Sequence, residues 1–178
     1  MPFHPHVLIQ DADVDAAISD TFPFNEVILR ELISSPIFIR RNNKMRSAIY
    51  TANNTVQTLA DGGLINPGTI IRRFGCNLHL SGSSINLNGS GYYDVDASIT
   101  LSGTDIGEVT VALYKDGIEV PGATASATVA TAGDIVNLSI SCLVREYCPC
   151  ADSSSNLTFV VSGIATNIIN SAIVVEKL

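Results

Sequence analysis

The side chains of this chain that could do chemistry are few and scattered. Cys76, Cys142, Cys148 and Cys150 offer thiolates, and Cys148-Pro149-Cys150 falls in a loop-like stretch, REYCPCADSSSN. Together with Cys142 that pair could hold a metal, but structural zinc is usually bound by two Cys-x-x-Cys units, which are absent. Reduced loop or structural thiols are a second reading, and a disulfide formed after release is a third. His4 and His6 flank Pro5 in an extended N-terminal stretch, too flexible to bind a metal firmly. His79 stands between Leu78 and Leu80 and reads as a polar-face position of a strand. Asp94 and Asp96 are two residues apart, so in a strand both project from one face. Calcium wants roughly six to eight oxygens, so this pair would need loop carbonyls or copies of itself around an axis. A solvated strand face is the other reading. Neither Gly-x-Ser-x-Gly nor His-Glu-x-x-His occurs. The chain reads as non-enzymatic, with no catalytic residue, no cofactor and no metal site expected.

The elements that would position such residues are strands. In GYYDVDASITL, Tyr93, Val95, Ala97, Ile99 and Leu101 fall on one side at period two, and Asp94, Asp96, Ser98 and Thr100 on the other. A sheet buried on one face requires that alternation. VTVALY and IEV flank Lys115-Asp116-Gly117, where Asp-Gly supplies the positive φ of a hairpin turn. Ala132-Gly133-Asp134 turns the chain into IVNLSISCLV, again alternating. From Arg46 onward everything reads as β. SAIYTANNTVQTL is the expected first strand, Gly62-Gly63 and Pro67-Gly68 mark turns, and LHLSGSSINLNGSG gives two very short pieces. NLTFVVSGIA and SAIVVEKL close the chain. Eight to ten strands with no helical layer make an all-β, two-sheet sandwich over residues 46–178. Tyr50, Tyr92, Tyr93, Tyr114 and Phe159 are candidates for core or interface aromatics, with core the first expectation for each.

Residues 1–45 differ. Pro2, Pro5, Pro23 and Pro36 break any long helix. NEVILRELISS carries Val27, Ile28, Leu32 and Ile33 at helical spacing, with Asn25 as cap and Pro36 as stop. DADVDAAIS could form a shorter helix. One or two such helices cannot build a core alone, so the stretch reads as an arm that needs a partner surface. Its charge is segregated. Residues 1–29 hold Asp11, Asp13, Asp15, Asp20 and Glu26 and no Lys or Arg, whereas Arg30, Arg40, Arg41, Lys44 and Arg46 follow closely. A docking arm and a solvated linker both fit that pattern. On the docking reading its partner-binding residues are Val27, Ile28, Leu32, Ile33, Ile37, Phe38, Ile39, Arg40, Arg41, Lys44 and Arg46.

Composition narrows the partners. Of 178 residues 15% are charged, and the net charge is −7. Nucleic-acid binding needs clustered Lys and Arg over the whole domain, so it is excluded as the main activity. So little charge also points to surface covered by identical copies. No segment approaches the ~18 apolar residues of a membrane helix, so no membrane insertion is expected. The first residues lack the basic start of a secretory signal, so synthesis in the cytosol is expected.

Three sequence features resemble the tumour-necrosis-factor-like jelly roll in its complement globular-head version. They are Gly91-Tyr92-Tyr93 opening a long strand, LYKDGIEV as a hairpin, and Ala132 to Leu138 entering another strand. IEVPGATASATVATAGDIVNLS is similar to head domains of collagen-like spore-surface proteins, phage head fibres and capsid decorations, although no collagen stalk is present. The resemblance implies a jelly-roll homotrimer. It further implies a virion structural protein, a capsid decoration or head-fibre protein on the capsid surface, held to a scaffold protein by its arm. The alternative it allows is an adhesin head, on a fibre or spore surface, that binds host carbohydrate or protein.

Overall fold

The computed structural model describes residues 46–147 and 154–178. The expected arm helices, ten of the eleven arm residues named above and the Cys148-Pro149-Cys150 loop lie outside them. The described residues form eleven strands: β1 Ser47–Asn53, β2 Gln57–Leu59, β3 Thr69–Phe74, β4 Leu78–Ser81, β5 Ser84–Asn88, β6 Gly91–Gly103, β7 Gly107–Lys115, β8 Ile118–Val129, β9 Ile135–Glu146, β10 Ser154–Gly163 and β11 Thr166–Lys177. They make a jelly-roll sandwich. One sheet has the order β3-β1-β11-β6-β9, with β2 also on β11, and the other has the order β4-β5-β10-β7-β8. All pairings are antiparallel.

One expected strand is divided. SAIYTANNTVQTL breaks at Asn53, whose Oδ1 accepts the Thr55 N–H at 2.9 Å and turns the chain. Both halves nevertheless pair with β11, β1 along Ser171–Lys177 and β2 along Thr166–Ile168. This is one source of the count of eleven where eight to ten were expected. The stretch after β2 also joins the second sheet, because Ile65 N–H donates to Phe159 O at 2.9 Å and Leu64 bridges Val160.

The long central strand behaves as its alternation requires. Tyr93, Val95, Ala97, Ile99 and Leu101 of β6 are buried, and Asp94, Asp96, Ser98 and Thr100 face the other way. The inward side chains of both sheets interlock into one core, with Tyr93 and Phe159 its largest members. The Tyr93 hydroxyl is placed against the Asn88 and Gly89 carbonyls at 2.9 and 2.7 Å, so its polar end is satisfied while the ring stays dry. Asp116 (φ 52°) and Gly117 (φ 79°) supply the two positive φ values of a tight β7–β8 hairpin. Asp116 Oδ1 also accepts the Asn156 N–H at 2.8 Å, tying that hairpin to β10.

The sandwich has two ends. At the base β1 begins, β6 begins, β9 finishes and β11 finishes, as the pairs Ser47–Lys177, Lys177–Tyr93 and Tyr92–Arg145 show. At the opposite end, the crown, lie the β6–β7, β8–β9 and β10–β11 turns. There Thr131 N–H donates to Asp134 Oδ2 at 2.8 Å, fixing the expected Ala132-Gly133-Asp134 turn.

Candidate interaction surface

Of the residues that suggested chemistry, Cys76, His79, Asp94, Asp96 and Cys142 are described, and His4, His6, Cys148 and Cys150 lie outside the described residues. His79 is held at a sheet edge: its Nε2 is 2.9 Å from Cys76 O and its Nδ1 is 3.1 Å from Arg73 Nη2. An Nε2–H tautomer satisfies both contacts. Asp94 and Asp96 do share the outer face of β6, with Glu176 across from Asp94. Among the described residues no group of three or more His, Cys, Asp or Glu is placed to hold a metal ion. Cys76 is exposed. Cys142 is half-buried on β9, and burial first, then the carboxylates of Asp94 and Asp96, push its thiol above the ordinary range. Burial pushes the Lys177 ammonium below its usual range, with Cys76 acting in the opposite sense. That ammonium lies 5.6 Å from the centre of the Tyr93 ring.

Two surfaces remain, the outer faces of the two sheets. Strand register fixes what each presents. On the six-stranded sheet, one row runs Phe74, Ala48, Glu176, Asp94, Leu143 across β3, β1, β11, β6 and β9. The next runs Arg72, Tyr50, Val174, Asp96, Ser141, and the third holds Ala52, Ala172, Ser98 and Ser139. Tyr50, Phe74 and Val174 stand on the β3–β1–β11 side together with Arg72 and Glu176, Asp94 and Asp96 stand on β6, Leu143 stands on β9, and the third row is of small residues. A broad shallow hollow of about 740 Å³ opens on the first side, lined by Tyr50, Ile71, Phe74 and Val174 among others. β3 is exposed along its whole length, with Ile71 and Phe74 both more than half exposed. On the five-stranded sheet the outer positions are mostly polar, among them Asn86, Thr158, Ser162, Thr124, Ser126 and Thr128, with Thr110 Oγ1 and Ser126 Oγ 2.7 Å apart. They also include Tyr114, Ala112 and Val160, the last bridged by Leu64.

The five aromatics divide between core and surface. Tyr93 and Phe159 are in the core, as expected. Tyr50 and Tyr114 are half-buried, and Tyr92 is largely exposed, because each falls one residue out of phase with the inward set of its strand. Arg46 is the one residue of the predicted partner-binding set that is described, and it is exposed beside the start of β1. Reading the sequence missed the exposed face of TIIRRF. It also missed a base cluster in which the Arg145 guanidinium lies 5.8 Å from the Tyr92 ring centre and 5.6 Å from that of Tyr147. Arg145 is followed by Glu146, a buried carboxylate 2.7 Å from Lys115 Nζ but off hydrogen-bonding angle, while Lys115 donates to Arg145 O at 2.9 Å. The available signal was the alternation of β9: once Leu138, Ile140 and Val144 face inward, Leu143 and Arg145 must face out.

Comparison with solved structures identifies the architecture as a TNF/complement-head jelly roll. Murine APRIL superposes with a TM-score of 0.58 at 9% identity, covering 75% of this chain and 99% of that one. The Eiger TNF of S. frugiperda gives 0.54 at 10% identity, covering 74% and 91%. The globular domain of zebrafish complement 1qA gives 0.54 at 6%, covering 74% and 95%. No protein-family model matches the sequence, and no curated protein matches it.

Proposed function

We propose that this chain is a non-enzymatic head domain that assembles as a homotrimer through the outer face of its six-stranded sheet. On this reading residues 1–45 carry it on the capsid surface of a virion, as a decoration or head-fibre protein made in the host cytoplasm. The observation that supports the trimer most strongly is the contrast between the two outer faces. Burying Tyr50, Ile71, Phe74 and Val174 against a second copy removes apolar area that water otherwise covers. The face is also heterologous in make-up, with Arg72 at one side and Asp94 and Asp96 towards the other. A rotation that sets one side of a copy against the other side of its neighbour closes into a ring. The small residues Ala52, Ala172 and Ser98 let such copies approach closely.

Attachment through the arm is supported by its make-up: prolines that break helices, apolar residues Val27 to Ile39, and the basic group Arg40, Arg41, Lys44 and Arg46. The test has two parts. Light scattering on residues 46–178 should give three chains per particle at micromolar concentration, and a single-chain mass would end the trimer proposal. Deleting residues 1–40 should abolish incorporation into virions while leaving the trimer intact. Full occupancy by the deleted form would move attachment to the jelly roll itself.

A further inference from the structure

The base and the crown of the sandwich are not alike. At the base, Tyr92 and Arg145 face each other across β6 and β9, and Tyr147 follows at the end of β9. The guanidinium is flanked by both rings, which are 48% and 71% exposed. Ile118, 73% exposed in the β7–β8 hairpin, lines a neighbouring hollow with Leu143 and Arg145. Leu178 is tied to the same corner, donating its N–H to Tyr92 O at 3.0 Å. None of these side chains belongs to the core. Tyrosine and arginine dominate the energetics of protein interfaces, and a guanidinium already stacked on aromatic rings is weakly hydrated and loses little on burial.

The position of the cluster says what it faces. Arg46, the first described residue, directly precedes Ser47, which pairs with Lys177 at the base. From β1 to β9 are three strand spacings, roughly 15 Å. The 45 residues that precede Arg46 therefore join the head beside this cluster. We infer that the base is a second docking surface, which seats the head directly against the particle protein that holds the arm. The inference rests on the proposed attachment through residues 1–45. Its chemistry asks that protein surface for carboxylates to receive the Arg145 fork and for apolar contacts to cover Tyr92, Tyr147 and Ile118. A tether and a direct contact at one end act together, so a modest base contact is multiplied by the high local concentration that the arm imposes. The crown then points away from the particle.

The experiment uses the full-length chain and particles purified from a strain lacking its gene, with bound protein quantified against concentration and salt. Tyr92, Leu143 and Arg145 form the base rim of the same outer face that the trimer proposal uses, so light scattering is run on each variant. Arg145→Glu and Tyr147→Ser should keep the three-chain mass yet each weaken binding by about tenfold or more, and Arg145→Glu should also flatten the salt dependence. A loss of binding only in variants that lose the trimer would overturn the inference. Ile106→Ser at the crown removes a comparably exposed apolar side chain, 69% exposed, and should leave binding unchanged. Tyr147 lies beyond the last residue of β9, so its variant keeps the test valid even if Arg145→Glu perturbs the strand. Base variants that bind as tightly as the parent, while deletion of residues 1–40 abolishes binding, would overturn this inference and leave arm attachment standing. An equal loss from Ile106→Ser would overturn it too. A parent chain that does not bind the particles at all would overturn both.

Discussion

Tyr50, Val174 and Ala172 stand on the outer face of the six-stranded sheet, where Tyr114, Thr158 and Thr124 stand on the outer face of the five-stranded one. Both sheets turn aliphatic side chains inward, and both alternate with the same period. The difference lies in the outward set, which is mainly aromatic, aliphatic and small with charged residues on one sheet, and mainly hydroxyl- and amide-bearing on the other, where Tyr114, Ala112 and Val160 are the apolar members. A face of Thr, Ser and Asn gains little by leaving water, because each polar group must find a new partner. A face holding Tyr50, Ile71, Phe74 and Val174 gains by being covered. The comparison shows one sheet with more apolar area left on its outer side, the side that the proposed trimer would cover.

The comparison breaks most visibly with a large charged side chain placed at the middle of each face. Ala172→Arg should convert the trimer to single chains, whereas Thr124→Arg should leave the assembly mass unchanged in light scattering. Equal behaviour of the two would show that neither face, or both, makes the contact. Next in size is a pair of neighbours on β10. Phe159→Ala empties the core and should cost about 3–5 kcal/mol in denaturant unfolding, while Thr158→Ala on the outer face should stay within about 0.5 kcal/mol. A large loss at Thr158 would mean that the five-stranded face is covered after all. A finer contrast sets the two half-buried tyrosines against each other. Tyr50→Ser should raise the trimer dissociation constant about tenfold, close to 1.4 kcal/mol, and Tyr114→Ser should not move it. Sedimentation equilibrium separates these outcomes.

The smallest effect concerns a thiol behind the six-stranded sheet. Cys142 pairs with Val95 on the inward side, and its thiol is raised first by burial and then by Asp94 and Asp96. A raised thiol favours the protonated form in the folded state. The folded chain therefore keeps its full contribution from this group below the ordinary thiol range, roughly pH 8.5, and loses it as pH rises through the folded value. Near pH 8 peptide mapping after alkylation should find Cys76, which is exposed, modified several-fold faster than Cys142. Faster reaction at Cys142 would place that side chain at an open surface and weaken the assignment of the inner face.

Much of the fold was legible because strand alternation is local. The run from Tyr93 to Leu101, the Asp116-Gly117 hairpin and the turn at Asp134 need only their own residues to be read, since each follows from side-chain phase or from a φ that only certain residues tolerate. The break at Asn53 was less legible, because a side-chain hydrogen bond two residues ahead decides it. The candidate surface was hardly legible at all. TIIRRF reads as an ordinary strand, and nothing in its own residues says that every one of them is exposed at a sheet edge. Likewise Tyr92 is far in sequence from Arg145 and Tyr147, and only the β6–β9 register makes it their neighbour.

The sequence alone therefore determined where most of the strands run and which face of the central strand is buried. Those are consequences of spacing along one strand and of residue type. Which strands lie side by side, and so which outward residues form one surface, was decided by the tertiary structure. That choice depends on pairing between segments far apart in the chain, such as β1 with β11 and β6 with β9. Strand alternation is blind to such pairing, because any two strands of the same period can be placed edge to edge until the whole core selects one arrangement.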